Sequence, residues 1–122
     1  MIVFSFKVPR GLRAELDRLA SANPNISRSE AVRRAIWETI DYIKTYRRLP
    51  PILNDFYDGS GTVVTSIKID DDLERELRKV SAKFGVTMAE IARRAIIRYV
   101  EARREKTAVY VGRYIKIRYG YT

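Results

Sequence analysis

Two short segments of the chain carry the same three chemical groups at every second position. Both place valine, serine and lysine in that order: Val3, Ser5 and Lys7, then Val64, Ser66 and Lys68. A lysine ammonium donates hydrogen bonds, a serine hydroxyl donates or accepts them, and valine methyl groups provide apolar contact. Alternate side chains of a strand point to the same side, so each triplet would form one face. This chemistry suits the recognition of a partner rather than catalysis.

The chain lacks two residue types on which much of catalysis and metal binding depends. It contains no Cys and no His, which excludes disulfides, thiolate zinc sites and imidazole chemistry. No glycine-rich phosphate loop is present, and the acidic residues lie mainly at helix starts or among basic neighbours. We therefore expect that the protein is not an enzyme and binds no cofactor, metal or small-molecule effector.

The charge balance indicates what kind of partner the chain has. Its 122 residues carry 24 Lys and Arg against 15 Asp and Glu, a net charge of +9, which favours a polyanion such as nucleic acid. A basic protein without such a partner is the alternative. No leader peptide or membrane-length apolar run is evident, so we expect a soluble, cytoplasmic protein that does not contact membranes. Abundant Arg, Glu, Lys and Ile would suit a thermophilic source.

An internal repeat positions the two triplets. Residues 6–12 align with 67–73 and, after a one-residue length difference in a loop, residues 27–36 align with 87–96. In the second pair of segments the same Glu, Arg-Arg and Ala-Ile residues recur at the same positions. A repeat that keeps both the order of elements and the positions within them indicates two copies of one structural unit.

Each copy reads as a strand followed by two helices. Apolar residues alternate over Ile2 to Val8 and over Val63 to Ile69, which is the period of a strand with one buried face. The second helix of each copy opens with a capping box, Ser27-x-x-Glu30 or Thr87-x-x-Glu90, in which hydroxyl and carboxylate each accept a backbone N–H. Its apolar stripe consists of Val32, Ala35, Ile36, Ile40 and Ile43, or Ile91, Ala92, Ala95, Ile96 and Val100.

The repeat divides the chain into four segments. We predict a first motif over residues 1–46, a linker over 47–62, a second motif over 63–105 and a basic aromatic tail over 106–122. Proline and Gly-Ser stretches bracket the linker, and Phe56 and Tyr57 predict that it packs on the body. Alternation from Val109 to Tyr121 predicts either a further strand or an ordered tail.

Each copy resembles the ribbon-helix-helix (Arc/MetJ-like) family of transcription regulators. The resemblance lies in the order of strand, helix and helix and in the signature Ser27-Arg28-Ser29-Glu30. The resemblance covers residues 2–45 and 63–105. It implies a mainly α fold with short β, in which an antiparallel two-stranded ribbon lies over a four-helix core and enters the DNA major groove. Most members supply the two units from two chains. The tandem arrangement in one chain is similar to regulators of archaeal viruses, which would place the protein in an infected host cell.

The resemblance assigns a role to each face of the ribbon. The apolar set should face the helices: Phe4, Phe6, Val8, Thr65, Ile67 and Ile69. The two Val-Ser-Lys triplets should contact bases, with lysine donating to guanine, serine donating or accepting, and valine packing on a thymine methyl. The triplets are identical whereas the inward residues match nowhere, which predicts a shared surface that reads a nearly palindromic subsite. A solvated sheet face is the alternative.

The starts of the second helices are the other candidate site. Their N–H groups lie at the positive end of a helix dipole, which suits a DNA phosphate, and the resemblance implies a backbone clamp there. The residues concerned are Ser27, Arg28, Ser29, Thr87, Met88 and Ala89. We assign the Arg-Arg pairs to a solvated helix face and Trp37 to the core or an interface. The basic and tyrosine residues of the tail would contact phosphate or a second chain.

The favoured function is a sequence-specific regulator, such as a repressor, that binds double-stranded DNA at a promoter or operator. An antitoxin whose tail wraps a toxin is one alternative, and a protein that coats DNA without sequence preference is another. We also expect a homodimer. The two strands pair either within one chain or with their twins in a second chain, and the sequence leaves both arrangements open.

Overall fold

A computed structural model of the chain describes residues 1–22, 25–51 and 59–112, with side chains described as far as Arg103. The protein is mostly helical and contains one two-stranded antiparallel sheet. The elements in chain order are β1 (Ile2–Pro9), α1 (Arg10–Ala22), α2 (Arg28–Tyr46), β2 (Thr62–Ile69), α3 (Asp71–Phe84) and α4 (Met88–Gly112). The predicted order of strand, helix and helix in both halves is confirmed.

The two strands pair with each other within one chain. Ile2 lies opposite Ile69, Ser5 opposite Ser66, and Pro9 opposite Thr62. A two-stranded ribbon is marginal on its own in water, and here it packs on the helices through one face. In this structure the ribbon therefore forms within one chain, which is one of the two arrangements that the sequence left open.

The ribbon separates buried from exposed residues by the alternation that the sequence predicted. Phe6, Val8, Thr65, Ile67 and Ile69 are buried. Phe4, nearer the end of the ribbon, is half-buried and packs on Phe6 with ring centroids 5.0 Å apart. The inward set is therefore confirmed, and the intervening residues of both strands face outward.

Both strands and all four helices contribute side chains to a single hydrophobic cluster. The predicted stripes of α2 and α4 are buried throughout, because residues three and four apart lie on one side of a helix. Leu12 and Leu16 of α1 and their counterparts Leu73 and Leu77 of α3 are almost fully buried. The ribbon is thus supported from beneath by a common core.

The helix ends follow from local chemistry. Asp70 caps α3 by accepting the N–H of Leu73 at 2.8 Å, and Gly85 ends that helix with φ of 66°, a left-handed conformation that glycine adopts without a steric penalty. Arg47 ends α2 at φ of 59°, and its N–H bonds to the carbonyl of Ile43.

Three expectations need correction or fall outside the described residues. Of the two places predicted for Trp37, the core is wrong, since its side chain is 36% exposed on α2; an interface stays a prediction. The strand predicted from Val109 is not formed at its start, because α4 continues through Gly112; an alternating pattern does not prevent an established helix from propagating. The remainder of that segment, and the packing of Phe56 and Tyr57, lie outside the described residues.

Candidate nucleic-acid interface

The outer ribbon face consists of the two Val-Ser-Lys triplets, which the strand register arranges as three cross-strand pairs. These pairs are Val3 with Lys68, Ser5 with Ser66, and Lys7 with Val64. All six residues are exposed, and the valines are 65% and 59% exposed for Val3 and Val64. Apolar side chains on a solvent-facing strand gain no burial within the fold, so the valines of this face are available to a partner.

The outer ribbon face has an approximate twofold axis at its centre. Ser5 pairs with Ser66, which is its own counterpart in the repeat, and their Oγ atoms lie 2.7 Å apart in a hydrogen bond. Each lysine consequently lies opposite the valine of the other triplet. An antiparallel ribbon whose paired residues are repeat counterparts presents the same pattern when it is rotated by 180°.

Three arginines outside the predicted site bond the helices to the ribbon. Arg13 of α1 donates from Nη1 to the carbonyl of Val64 at 3.2 Å, and the other two occupy equivalent positions in the two repeats. Arg33 Nη1 of α2 donates to the backbone carbonyl of Lys68 at 3.0 Å, and Arg93 Nη1 of α4 donates to that of Lys7 at 3.1 Å. Each repeat therefore anchors the strand of the other repeat beside its lysine. The sequence interpretation of the Arg-Arg pairs as a solvated helix face was wrong for Arg33 and Arg93, and also for Arg94, whose side chain is only 15% exposed. The recurrence of the Arg-Arg pair at identical repeat positions was the signal for this role.

Glutamates at the helix starts orient these arginines. Glu30 accepts hydrogen bonds from Arg33 and Arg34, and Glu90 accepts them from Arg93 and Arg94. These bonds lower the pKa of the Glu30 carboxyl from its ordinary value, because they stabilise its charged form. The predicted return bond of the capping box to the backbone is replaced by these charge-assisted bonds, which are the stronger kind.

The hydroxyl half of each predicted capping box is formed at the start of α2 and α4. Ser27 Oγ accepts the N–H of Glu30 at 3.1 Å, and Thr87 Oγ1 accepts the N–H of Glu90 at 3.0 Å. Ser29 shares a shallow cleft with Val3, Ser66, Lys68 and Arg33. The start of α2 and one end of the outer ribbon face thus form a continuous surface.

The two helix starts differ in charge and burial. Arg28 Nη1 bonds to Asp17 Oδ1 of α1 at 3.1 Å, so its cation is held by a partly exposed ion pair. Its counterpart Met88 and the neighbouring Ala89 are half-buried against the hydrophobic cluster. The first repeat therefore offers a cation at this position, and the second offers backbone N–H groups beside an apolar side chain.

Comparisons of the chain with protein-family models, with curated protein sequences and with solved structures found no match. Among the described residues, no helix combines the length and apolar character needed to cross a membrane. No group of three or more acidic residues within the described ranges is placed to hold a metal ion.

Proposed function

We propose that this chain is a tandem ribbon-helix-helix protein that binds double-stranded DNA sequence-specifically and regulates transcription. The observation that carries the proposal is the outer ribbon face: two identical Val-Ser-Lys triplets, all exposed, related by an approximate twofold axis at Ser5 and Ser66. B-DNA has the same local symmetry, because its two strands are antiparallel, and its major groove admits a two-stranded ribbon.

Base recognition follows from the three cross-strand pairs. Lys7 and Lys68 would donate to guanine O6 and N7, the serine pair would bond to bases at the centre, and Val3 and Val64 would pack on thymine methyl groups. The twofold arrangement places a lysine and a valine on each side of the centre. The preferred subsite is therefore an inverted repeat, with equivalent contacts in both halves.

Backbone contacts would come from the helix starts beside the ribbon. The free N–H groups at the beginning of α2 and α4, with Ser27, Ser29 and Thr87, suit phosphate oxygens. Such contacts fix the position of the protein without reading sequence. Because Arg28 has a cation where Met88 has none, the first repeat would bind its phosphate more strongly and contribute more to the dependence of affinity on salt concentration.

One chain would form one complete reading unit, since its two strands pair with each other. Two chains would then occupy neighbouring subsites about one helical turn apart along the DNA. This is how the expected homodimer would act on a promoter or operator. Binding of a single chain to a single subsite does not require the second copy.

Substitution of the two lysines tests the proposal. Lys7→Ala and Lys68→Ala should each weaken binding to a selected site by about 1 to 3 kcal/mol, because each removes a base-specific donor. The double variant should lose more than either single variant. The measurement is footprinting on that site with random duplex as competitor. Because of the twofold symmetry, the two single variants should lose similar amounts of binding free energy. They should lose footprint protection on opposite halves of the site.

Lys79→Ala provides the matched control. Lys79 is an exposed lysine on α3 that pairs with Glu76, so its substitution removes the same charge away from the ribbon. Site-specific binding that survives the Lys7 and Lys68 double substitution would refute base reading by the ribbon. Equal binding to the selected site and to random duplex would instead indicate a protein that coats DNA.

A further inference from the structure

The outer sides of α2 and α4 carry corresponding residues but differ in what covers them. The corresponding positions are Arg34, Trp37 and Asp41 on α2, and Arg94, Ile97 and Glu101 on α4. Positions three and four apart lie on one side of a helix, so each set forms one stripe along its helix. We refer to Arg34, Trp37, Glu38 and Asp41 as the Trp37 face.

The stripe on α4 is covered by the chain itself. Arg94 Nη1 donates to the carbonyl of Pro50 at 2.9 Å, and Pro50, Pro51 and Ile97 line one small cavity together with residues of α2 and α4. Ile97 is consequently only 2% exposed. The segment that follows α2 therefore occupies the outer side of α4.

The Trp37 face is more open within the described residues. Arg103 of α4 reaches its edge, with Nη2 3.7 Å from Glu38 Oε2. Trp37, the only tryptophan of the chain, is 36% exposed, and Arg34, Glu38 and Asp41 around it are exposed as well. Asp41 takes part in no ion pair among the described residues, whereas Arg34 bonds to Glu30. An exposed tryptophan between charged residues is the composition of an interface centre with a polar rim.

We propose that the Trp37 face binds the Trp37 face of a second copy of this chain, with the two α2 helices antiparallel. If the twofold axis passes between Trp37 and Glu38, Arg34 of each copy lies opposite Asp41 of the other. A symmetric interface requires such reciprocal pairs. Seven residues separate the two charges, about 10 Å along the helix, which leaves room for the two Trp37 side chains between the two ion pairs.

The charges of the Trp37 face favour a second copy over a partner of a different kind. The Trp37 face presents a cation at one end and an anion at the other, equally spaced from its centre, so it is complementary to itself. A single pair of helix faces is small compared with a standard protein interface. The dimer is therefore weak and forms at micromolar or higher concentration. This interface leaves the ribbon free and does not depend on the proposed DNA binding.

The tryptophan provides the readout. Sedimentation equilibrium of the full chain, without DNA, should show monomer converting to dimer as the concentration rises. Trp37 emission should shift to shorter wavelength and its quenching by acrylamide should fall over the same range. Asp41→Arg places an arginine opposite Arg34 and should weaken dimerisation by roughly tenfold or more. The Arg34→Asp and Asp41→Arg double variant exchanges the charges and should restore it.

Glu101→Arg is the matched control, because it makes the same charge change on the stripe of α4 that the chain already covers. It should leave dimerisation unchanged, with circular dichroism verifying that each variant is folded. A chain that stays monomeric at all concentrations would overturn the proposal. So would dimerisation that survives Asp41→Arg, or short-wavelength Trp37 emission that is independent of concentration, which would show that the chain covers Trp37 itself.

Discussion

At the scale of single residues, the valines of the outer ribbon face are the least expected feature of a solvent-exposed sheet. Val3 and Val64 are both more than half exposed, yet they recur at equivalent positions in two repeats whose inward residues all differ. Their methyl groups add nothing to the hydrophobic cluster. We attribute the agreement to a common contact, which in the proposed complex is a thymine methyl group.

This contact predicts a specific coupling between protein and DNA. Val64→Ala should weaken binding to the selected site by about 1 kcal/mol, since it removes apolar contact area. Replacing the contacted thymine with uracil should weaken binding of the wild type by a similar amount. The same replacement should have little effect on binding of the Val64→Ala variant, which has already lost the contact. Fluorescence anisotropy of the four combinations measures the coupling. Fully additive losses would contradict a contact between Val64 and the methyl group.

The carboxyl of Glu30 predicts a pH dependence of stability. Arg33 and Arg34 lower its pKa in the folded protein, so the unfolded chain binds more protons as the pH falls. The stabilisation is complete above the ordinary value of 4.5 and is lost as the pH falls through the lower folded value. Because the carboxyl is partly exposed, its contribution is about 0.5 kcal/mol.

Urea unfolding of the wild type and Glu30→Gln measures this contribution. The wild type should be more stable at pH 7, and the difference should shrink as the pH falls below 4.5, because the Glu30 carboxyl is then protonated first in the unfolded chain and at lower pH in the folded protein. The comparison cancels carboxyl groups that titrate equally in both proteins. A difference in the free energy of unfolding that stays constant with pH would contradict the assigned ion pairs.

The sequence predicted which residues of the ribbon face the helices and which face outward. Alternation alone separates inward Phe6 from outward Lys7, because a strand has a period of two. It does not predict the bonds of Arg33 and Arg93 to the ribbon, since these join residues of different repeats. Side chains that connect distant segments depend on tertiary packing, which a local pattern does not contain.

At the scale of elements, the ends of α2 and α3 differ in one instructive respect. Both helices end on a left-handed residue, Gly85 after α3 and Arg47 after α2. A side chain in this conformation is crowded by its own backbone, whereas glycine is not. The two helices therefore have C-caps of the same geometry, but the left-handed conformation costs more conformational free energy at Arg47 than at Gly85.

Reciprocal substitutions should change stability in opposite directions. Gly85→Ala should lower the free energy of unfolding by about 1 kcal/mol, and Arg47→Gly should raise it by up to about 1 kcal/mol. No neighbouring atom lies within 4 Å of a Cβ added at Gly85, so the effect there would be conformational rather than a clash. Thermal or urea unfolding measures both. The same sign for both variants would contradict the assigned caps.

Element boundaries were predictable where a residue type has a local mechanism. The caps at Ser27 and Thr87 follow from hydroxyl chemistry. The continuation of α4 through Gly112 did not follow. There the alternating pattern favours a strand while the preceding turns favour a helix, and local composition alone does not decide between them.

At the scale of the whole molecule, the decisive feature is that one chain supplies both strands of the ribbon. The repeat predicted two equal units, but it was silent on whether they pair with each other or with a second chain, since both arrangements satisfy the same pattern. A ribbon within one chain persists at any dilution, whereas a ribbon between chains would dissociate. Recognition of one subsite should therefore persist at protein concentrations at which the Trp37 dimer is dissociated.

Sequence-specific reading by the ribbon is tested by selecting bound duplexes from a random pool, at nanomolar protein and physiological salt. We expect enrichment of one short inverted repeat, bound by a single chain and preferred over random duplex by more than about tenfold. Its centre of symmetry should coincide with the Ser5–Ser66 pair. A pool without a common sequence, or a preference below about tenfold, would contradict sequence-specific reading by the ribbon.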